Sequence, residues 1–338
     1  MNLKLVGAHP SPYTRKMRAV LRYRRIPFEW VLRGGPFDQD LPATPVRLIP
    51  VIVFEYEDGS SDAMVDSTPQ IRRLESEVDG RSIVPPDPAL AFLDFLIEDY
   101  ADEWVTKAMF HYRWWREADI EKAGVLLPLT RDPSMDPESL AAAAKMISER
   151  QISRLGVVGS NEITQPLIEA SYVRLLHLLD ERLQRGPFLF GDRPAAADFG
   201  LFGQLTQLVL FDPTPVAVCE REAPRVIAWV QNVEDLSWLE VEEDGWLDRA
   251  AAVDSLRPLL AEIGRVYAPF LMANAGALLA EDDEVVCEID GATWRQEPFR
   301  YQGKCLQWLR GAFSELEPAD RSFVREALDG TGCEVLLG

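Results

Sequence analysis

The order of short apolar segments in the first 80 residues constrains the fold more than any other feature of this sequence. Residues 3–6 form an apolar run with β character, and residues 14–25 place apolar side chains at helical spacing. A proline ends this helix, and residues 28–32 are typical of a second strand. A strand, a helix and a strand in succession predict a βαβ unit, in which the two strands run parallel.

Two more strands and a second helix follow this unit. A loop rich in glycine and proline leads to a strand at residues 51–56, and Asp58-Gly59 predicts the turn of a hairpin that continues into a fourth strand. A further helix begins at Ser67. The complete order, βαβ-ββα, is that of the thioredoxin fold, so we predict an α/β, thioredoxin-like domain over residues 1–80.

The sequence changes character after this domain. A proline-rich stretch at residues 85–88 forms a stiff linker, and a helical period then dominates residues 88–245, which predicts an all-α domain. Its first helix is long and covers residues 90–117. Residues 119–163 resemble an insertion, because they carry proline and glycine punctuation and only one predicted helix. Residues 250–338 combine predicted helices with a possible hairpin and form an α+β C-terminal extension.

The charge of the chain is unevenly distributed. The formal net charge is -20, yet residues 1–80 hold 11 basic and 11 acidic residues, so the rest of the chain carries the whole excess. Nucleic acid binding requires a basic footprint, and this balance excludes it as a function class. An anionic ligand would prefer the neutral first domain.

Composition also bears on location and metal binding. The chain has no apolar run after a basic start that would form a secretory signal, and no uninterrupted apolar stretch long enough to predict a membrane helix. We therefore predict no membrane partner. The four cysteines lack CxxC spacing, so we also predict free thiols, no metal site and a cytoplasmic location.

Ser11-Pro12-Tyr13 lies where the first strand meets the first helix. Serine at the N-cap and proline at the first helical position are favoured helix starts, so the segment has a purely structural explanation. The same N-terminus offers unpaired N–H groups and the positive end of the helix dipole, which favour a thiolate over a thiol. The hydroxyl of Ser11 is therefore also a candidate catalytic group that donates a hydrogen bond to a sulfur.

Ile49-Pro50-Val51 precedes a predicted buried strand. A proline that merely starts a strand is common. In thioredoxin folds the matching proline is cis, and its peptide turns the backbone of the next residue toward the ligand. We therefore predict a cis peptide at Pro50 and main-chain pairing between Val51 and a bound peptide.

Asp66-Ser67 begins the second helix of the domain. Ser67 with Gln70 fits a capping box, which is the structural alternative. A helix N-terminus is also an anion site suited to a carboxylate, and Asp66 can accept hydrogen bonds from an ammonium. The two charged groups of an amino acid would thus be bound at adjacent positions.

The combined spacing of Ser11, Ile49-Pro50 and Asp66-Ser67 on this strand order resembles the glutathione transferase (GST) family, and is most similar to its serine classes such as tau. The resemblance implies that glutathione is the co-substrate and that Ser11 contacts its sulfur. It implies that the segment at Pro50 and Val51 pairs with the cysteinyl backbone, and that Asp66 and Ser67 hold the γ-glutamyl group.

A basic residue on the loop before the cis-proline holds the glycyl carboxylate in this family. Arg33 and Arg47 are both candidates, and the sequence does not decide between them. By the same resemblance, the pocket for a second, hydrophobic substrate faces the end of the long helix, where Tyr112 and Trp115 lie, and Tyr13 is a further candidate. Packing in the core is the alternative for these aromatic residues.

The all-α part resembles the GST C-terminal domain. Residues 191–199 are similar to the helix-capping segment of the family, but Ala195 stands where the family has serine or threonine. Asp198 can still accept the return hydrogen bond of the cap. The resemblance covers residues 1 to about 240 and leaves out both the insertion and the C-terminal extension.

The resemblance implies a glutathione-dependent transferase-type enzyme that activates the glutathione thiolate for attack on a small hydrophobic electrophile, and it implies a homodimer. Position 11 is not a cysteine, so a thiol-reductase mechanism is disfavoured. The alternative is a non-enzymatic GST-fold protein that serves binding or assembly, in which the extension covers the cleft or meets a partner.

Overall fold

The computed structural model describes residues 2–36 and 40–338, and the chain begins with a four-stranded sheet and two helices. In chain order these elements are β1 (Asn2–Gly7), α1 (Pro12–Tyr23), β2 (Glu29–Leu32), β3 (Val51–Glu55), β4 (Ser61–Val65) and α2 (Ser67–Glu77). The predicted βαβ-ββα order of a thioredoxin-like domain is confirmed.

The sheet has the strand order β2-β1-β3-β4. β1 and β2 are parallel, with Gly7 opposite Leu32, whereas β3 is antiparallel to both β1 and β4. Val51, the first residue of β3, stands opposite the last part of β1 and the end of β4. One edge of the sheet therefore collects the C-terminal ends of β1, β2 and β4 and the start of β3.

Eight helices follow in the second part of the chain. They are α3 (Pro88–Tyr100), α4 (Thr106–Trp115), α5 (Glu117–Leu129), α6 (Pro137–Ile152), α7 (Gln165–Leu183), α8 (Ala196–Leu208), α9 (Pro213–Glu222) and α10 (Pro224–Val233). A π-helical turn, Ala101–Val105, joins α3 to α4, and a 3-10 turn, Leu155–Val158, precedes α7. The predicted all-α character of this part is confirmed.

Two predictions about these helices need correction. The long helix expected at residues 90–117 is three consecutive segments, and it ends at Trp115 because the backbone of Arg116 is extended. The insertion contains two helices, α5 and α6, instead of one. Gly124, one of the glycines of the insertion, does not break a helix but lies inside α5. A Cβ at this position would lie 2.8 Å from the Ser148 hydroxyl, so the glycine permits close packing of α5 on α6.

Asp198 secures the start of α8. Its carboxylate accepts hydrogen bonds from the backbone N–H groups of Ala195 at 2.9 Å and Leu189 at 3.0 Å. The expected return bond is therefore present although Ala195 has no capping side chain. Burial raises the pKa of Asp198 to about 7.

The C-terminal extension is a folded unit of helices and one small hairpin. It comprises α11 (Arg249–Ala280), β5 (Val285–Ile289), β6 (Ala292–Gln296), α12 (Arg300–Glu315), α13 (Pro318–Leu328) and a final 3-10 turn, Cys333–Leu336. Phe313 of α12 packs on Phe92 of α3, and Tyr267 of α11 packs on Tyr100. The extension thus shares the apolar core of the preceding helices. Its helices and its hairpin confirm the predicted α+β composition.

Helix α11 is long and apolar enough to cross a membrane by length and composition alone. In the apolar window that meets this test, 44% of the residues are buried inside the structure. The helix contacts α7, α12 and β5, which is the packing of a core helix in a folded domain.

Helices α1 and α8 pack closely because α8 has a glycine at the contact. A Cβ at Gly203 would lie 2.7 Å from the backbone oxygen of Pro12, so the two helix backbones nearly touch. We expect Gly203→Ala to lower the free energy of unfolding by about 1–3 kcal/mol, because the added methyl overpacks a rigid contact. Urea unfolding monitored by tryptophan fluorescence measures this change.

The matched control for this prediction is Gly276→Ala in α11, where a Cβ would meet nothing within 4 Å. That substitution should leave stability unchanged or raise it by up to about 1 kcal/mol through helix propensity. Equal effects of the two substitutions would contradict the close contact of α1 and α8.

Buried carboxylates line the contact between α3 and the extension. The Tyr267 hydroxyl donates to Asp99 Oδ2 at 2.6 Å. Burial raises the pKa of Asp99 to about 7, and burial also raises the pKa of Glu103 to about 8. Nearby, burial lowers the pKa of Lys107 to about 7.

These pKa values predict a stability that falls as the pH rises from about 5 to about 7. In this window the folded chain retains protons on Asp99 and Glu103 that the unfolded chain has released, so folding binds protons. Asp99→Asn should reduce the slope of the free energy of unfolding against pH by up to about 1.4 kcal/mol per pH unit. The control, Glu243→Gln at an exposed position, should leave the slope unchanged. Urea unfolding at several pH values checks both, and a slope of Asp99→Asn equal to that of the parent chain would refute the assignment.

Candidate functional site

The sheet edge described above brings most of the predicted site segments together. Ser11 follows β1, Arg33 follows β2, Pro50 precedes β3, and Asp66 and Ser67 follow β4. Because all four strand ends meet at this edge, residues that are more than 50 positions apart in sequence lie along one border of the domain.

Ser11 is the N-cap of α1. Its backbone is extended, and its Oγ accepts a hydrogen bond from the Thr14 backbone N–H at 3.3 Å. A hydroxyl has one proton to donate and two lone pairs, so the cap uses only a lone pair. Among the described residues the hydroxyl proton has no acceptor, and Ser11 is only partly buried. The structural and the chemical interpretations of this serine are therefore compatible.

The predicted cis peptide is present between Ile49 and Pro50. The Pro50 carbonyl accepts a hydrogen bond from Gln70 Nε2 at 3.1 Å, which ties the peptide to α2. Val51 lies in β3 between Val6 of β1 and Val65 of β4. A strand residue points its N–H and C=O toward the same side, so a neighbouring strand takes up both groups of Val51.

Ile49 stands outside this ladder. It precedes the strand, is partly exposed, and makes no backbone hydrogen bond with another residue of the described chain. Ile49, on the N-terminal side of the cis bond, therefore has main-chain groups without a partner in the described chain, and ligand pairing at Val51 stays a prediction.

Asp66 is the N-cap residue of α2 and has a positive φ of 78°. A non-glycine residue in such a conformation costs about 1–3 kcal/mol and is retained where the surroundings fix it. Asp66 makes no capping bond with its side chain, and its Oδ2 accepts a hydrogen bond from the Tyr301 hydroxyl of α12 at 2.6 Å. The extension thus reaches one of the predicted ligand residues.

The capping box predicted from Ser67 and Gln70 is wrong. Ser67 is the first helical residue, and the Gln70 amide donates to the carbonyls of Pro50 and Met64. The Ser67 hydroxyl is buried, lies 3.2 Å from Lys16 Nζ and donates to Asp102 Oδ2 at 3.4 Å. This hydroxyl is therefore engaged in the protein interior by Lys16 and Asp102.

Lys16 is the centre of a buried ionic cluster that the sequence did not reveal. Its ammonium lies 2.7 Å from Glu98 Oε1 and 2.6 Å from Asp102 Oδ2, and the lysine side chain is fully buried. Thr68 also donates to Glu98 at 3.1 Å. The position of Lys16 four residues before Val20, on the apolar face of the helix, was the available signal.

The electrostatics of the cluster follow from burial and pairing. Burial alone would lower the pKa of Lys16, but the carboxylates of Asp102 and Glu98 reverse this effect and hold it above its ordinary value. Burial raises the pKa of Asp102 to about 6 in spite of the neighbouring lysine. Asp102 Oδ1 is buried without a hydrogen-bond partner in the part of the chain that the structure describes.

The aromatic residues predicted for a second-substrate pocket have other roles. Tyr112 is buried and packs edge-on against Tyr172 with ring centroids 5.3 Å apart, so it belongs to the core. Trp115 stacks on His111 and packs against a small apolar cluster formed by Trp114, Ala123, Leu127 and Leu155. Tyr13 is partly exposed, but its hydroxyl donates to the Asp102 backbone carbonyl at 2.8 Å.

A different cleft of about 180 Å³ opens at the β1–α1 loop; it is lined by Pro10, the residue before Ser11, but not by Ser11 itself. It is bordered by the β1–α1 loop, α1, the end of α5 and the end of α8, and is lined by His9, Pro10, Arg15, Thr130, Thr206, Gln207, Leu210 and Phe211. The insertion contributes Thr130. The next residue, Arg131, lies against Gly35, where a Cβ would be 2.6 Å from the Arg131 backbone oxygen. The insertion therefore borders the site edge.

The two candidate arginines both lie on the loop that joins β2 to β3. The Arg33 backbone N–H donates to the Gly7 carbonyl at 2.8 Å, which places Arg33 beside the end of β1. Arg47 lies two residues before the cis peptide, between the exposed side chains of Val46 and Leu48. Both arginines are exposed, and the choice between them stays open. No group of three or more His, Cys, Asp or Glu side chains arranged to hold a metal ion was found over residues 2–36 and 40–338.

Similar solved structures include several glutathione transferases. A family member from Pseudomonas fluorescens pf-5, solved with two glutathione bound, is 16% identical over 69% of this chain and 92% of its own, with a TM-score of 0.44. The Tau class enzyme from mango (Mangifera indica L.) is 20% identical over 75% of this chain and 96% of its own, with a TM-score of 0.41. A glutathione S-transferase from Rhodospirillum rubrum F11 is 19% identical over 74% of this chain and 98% of its own, with a TM-score of 0.40. At these TM-scores the likenesses carry no argument about the chemistry of this chain.

Family models give the assignment. The model described as "Glutathione S-transferase, N-terminal domain" matches residues 5–82, and the model described as "Glutathione S-transferase, C-terminal domain" matches residues 146–232. A comparison with curated protein sequences found no match. The two matched segments hold the sheet edge with Ser11, the cis-proline and the start of α2, and the helices α7 to α10. Through these two domains the chain belongs to the glutathione S-transferase superfamily.

Proposed function

We propose that this protein is a glutathione-dependent transferase-type enzyme that stabilises the glutathione thiolate for attack on a small hydrophobic electrophile. The observation that carries the proposal is the Ser11 hydroxyl. It caps α1 with a lone pair, keeps its proton free of any acceptor among the described residues, and lies on the sheet edge that also holds the cis peptide at Pro50. These features support a role for Ser11 as a hydrogen-bond donor to the glutathione sulfur.

Thiolate stabilisation is the chemistry that Ser11 supports. The N-terminus of α1 contributes the positive end of a 12-residue helix. Pro12 has no N–H and the Thr14 N–H is bonded to Ser11 Oγ, so among the described residues the Tyr13 N–H is the donor left in the first turn. Lowering the pKa of a thiol from about 8.5 by about two pH units requires about 2.7 kcal/mol, which a hydroxyl donor and a helix N-terminus can supply together. Proximity to the electrophile provides the remaining rate enhancement.

His9 does not supply a base in this scheme. Its Nδ1 lies 3.2 Å from the Arg18 guanidinium, and its ring packs on Trp30. Burial and the charges of Arg18 and Arg15 lower the pKa of His9. The serine hydroxyl and the helix N-terminus therefore act by stabilising a thiolate whose proton has gone to solvent.

The ligand is proposed to lie along the sheet edge. The γ-glutamyl carboxylate meets the backbone N–H groups of Ser67 and Thr68, while its ammonium meets Asp66. The cysteinyl backbone pairs with Ile49, which has the available main-chain groups, in place of the predicted Val51. The glycyl carboxylate then points toward the loop that carries the two candidate arginines.

The second substrate is proposed to bind in the cleft at the β1–α1 loop. Leu210 and Phe211 give this cleft an apolar wall, and Thr130 of the insertion closes one side. Tyr112 and Trp115 are replaced in this role because Tyr112 is buried against Tyr172 and the partly buried Trp115 stacks on His111, and neither lines this cleft.

A non-enzymatic binding or assembly protein is the second candidate. Two observations favour it: the Ser67 hydroxyl is engaged by Lys16 and Asp102, and the Asp66 carboxylate already accepts a hydrogen bond from the extension. Glutathione binding separates the two candidates, because an assembly protein requires no thiolate. The homodimer and the cytoplasmic location stay predictions.

Substitution of Ser11 tests the enzyme proposal. Ser11→Ala should raise the pKa of the bound glutathione thiol by about one to two pH units, because it removes the donor to the sulfur. The rate of conjugation to an aromatic electrophile at neutral pH should fall by about tenfold or more. Ultraviolet absorbance of the thiolate across a pH series measures the first effect, and steady-state kinetics measure the second.

Two variants separate the chemistry of Ser11 from its capping role. Ser11→Thr keeps both the cap and the hydroxyl and should retain activity. Ser11→Asp keeps a strong N-cap but replaces the donor by a negative charge, so it should fold normally and lose the thiolate. The absence of saturable glutathione binding to the parent chain at millimolar concentration would refute the enzyme proposal.

Ligand truncation identifies the arginine that meets the glycyl carboxylate. γ-Glutamylcysteine lacks this carboxylate, so the alanine variant of the correct arginine, Arg33 or Arg47, should bind glutathione about tenfold more weakly and γ-glutamylcysteine unchanged. Arg150→Ala, at an exposed position of α6, serves as the charge-matched control. Equal weakening of both ligands by either variant would show that the arginine acts on another part of the site.

A further inference from the structure

The extension contributes a side chain to the edge where glutathione is proposed to bind. Tyr301 is the second residue of α12, and its hydroxyl donates to Asp66 Oδ2 at 2.6 Å across 235 positions of sequence. The other oxygen of this carboxylate, Oδ1, accepts no hydrogen bond from the residues that the structure describes. Asp66 itself is half-buried, so one oxygen is held by the protein and the other has no protein donor among the described residues.

Tyr301 is held firmly by its surroundings. The backbone of Phe299 exchanges two hydrogen bonds with the Asn274 side chain, at 2.8 and 3.0 Å, which fixes the start of α12 against α11. The next residue, Gln302, is buried and donates to the Glu103 backbone carbonyl at 3.2 Å. The Tyr301 ring packs edge-on against Trp308. The position of the hydroxyl is therefore set by the extension and not by Asp66.

Asp66 needs such a fixed partner. Its φ of 78° is unfavourable for a residue with a Cβ, and its side chain makes no capping bond with its own helix. A carboxylate attached to a strained backbone on a partly exposed edge has several rotamers available. The bond from Tyr301 selects one of them, and burial keeps the phenol protonated because it raises the pKa of Tyr301 above its ordinary value.

We propose that Tyr301 is a positioning residue for glutathione: by holding one oxygen of the Asp66 carboxylate, it aims the other oxygen at the ammonium of the γ-glutamyl group. This inference rests on the proposed function. It gives the C-terminal extension a role in ligand recognition, since the site residue Asp66 is oriented by a helix outside both family domains.

The test compares two ligands on one variant. Tyr301→Phe keeps the ring and its packing but removes the hydroxyl. It should weaken glutathione binding by about tenfold, and it should leave the binding of glutaryl-cysteinylglycine unchanged, because this analogue lacks the amino group. Isothermal titration calorimetry measures both dissociation constants, and thermal unfolding checks that the variant is folded.

Tyr267→Phe is the matched control. It deletes a hydroxyl that donates to a buried carboxylate, Asp99, at the same 2.6 Å and at the same contact between the extension and the helical domain. It does not touch Asp66, so it should lower stability without changing the ratio of the two dissociation constants. In an Asp66→Asn background, Tyr301→Phe should have no further effect on glutathione binding.

The outcomes are distinguishable. If the parent chain binds glutathione and Tyr301→Phe leaves the ratio of the two ligands unchanged, the positioning role is overturned and the proposed function stands. Tighter glutathione binding by Tyr301→Phe would equally overturn it, since the tyrosine would then compete with the ligand. If the parent chain binds no glutathione, the proposed function and this inference both fail.

Discussion

The arrangement of this protein depends on the buried ammonium of Lys16. It links α1 of the first domain to Glu98 of α3 and to Asp102 of the π-helical turn. It also lies within hydrogen-bond distance of Ser67 at the start of α2. Removal of one member of a buried ion pair costs about 3–5 kcal/mol, because the remaining charge loses its partner. The N-termini of the two helices that border the site are thereby fixed relative to each other and to the helical domain.

Local signals in the sequence were sufficient for the parts of the site that depend on backbone conformation. The order of strands and the N-cap at Ser11 follow from periodicity and capping chemistry, whereas the cis peptide at Pro50 was implied by the thioredoxin fold; the structure contains all three. Pairing between Val51 and the ligand stays a prediction; the sequence did not reveal that Val51 is flanked by strands on both sides, because that is a property of the complete sheet. The role of Ser67 was missed because its hydroxyl responds to a lysine 51 positions away.

Segments outside the two family domains form the margins of the site. Thr130 of the insertion lines the cleft at the β1–α1 loop, and Tyr301 of the extension binds Asp66 at the other end of the same edge. The sequence could not predict either contact, because both join segments that are far apart in the chain and carry no motif. The sheet edge with Ser11 and the cis-proline thus lies inside the two matched domains, whereas Thr130 and Tyr301 at its margins lie outside them.

The π-helical turn Ala101–Val105 separates two parts of one long helix. One extra residue in a helix rotates everything that follows by about 100°. The turn therefore rotates α4 about the helix axis relative to α3. Glu98 of α3 faces Lys16, whereas Lys107 of α4 faces Gln296 of the extension. The turn also carries the Asp102 carbonyl, which accepts a hydrogen bond from the Tyr13 hydroxyl, so it contacts the first domain directly.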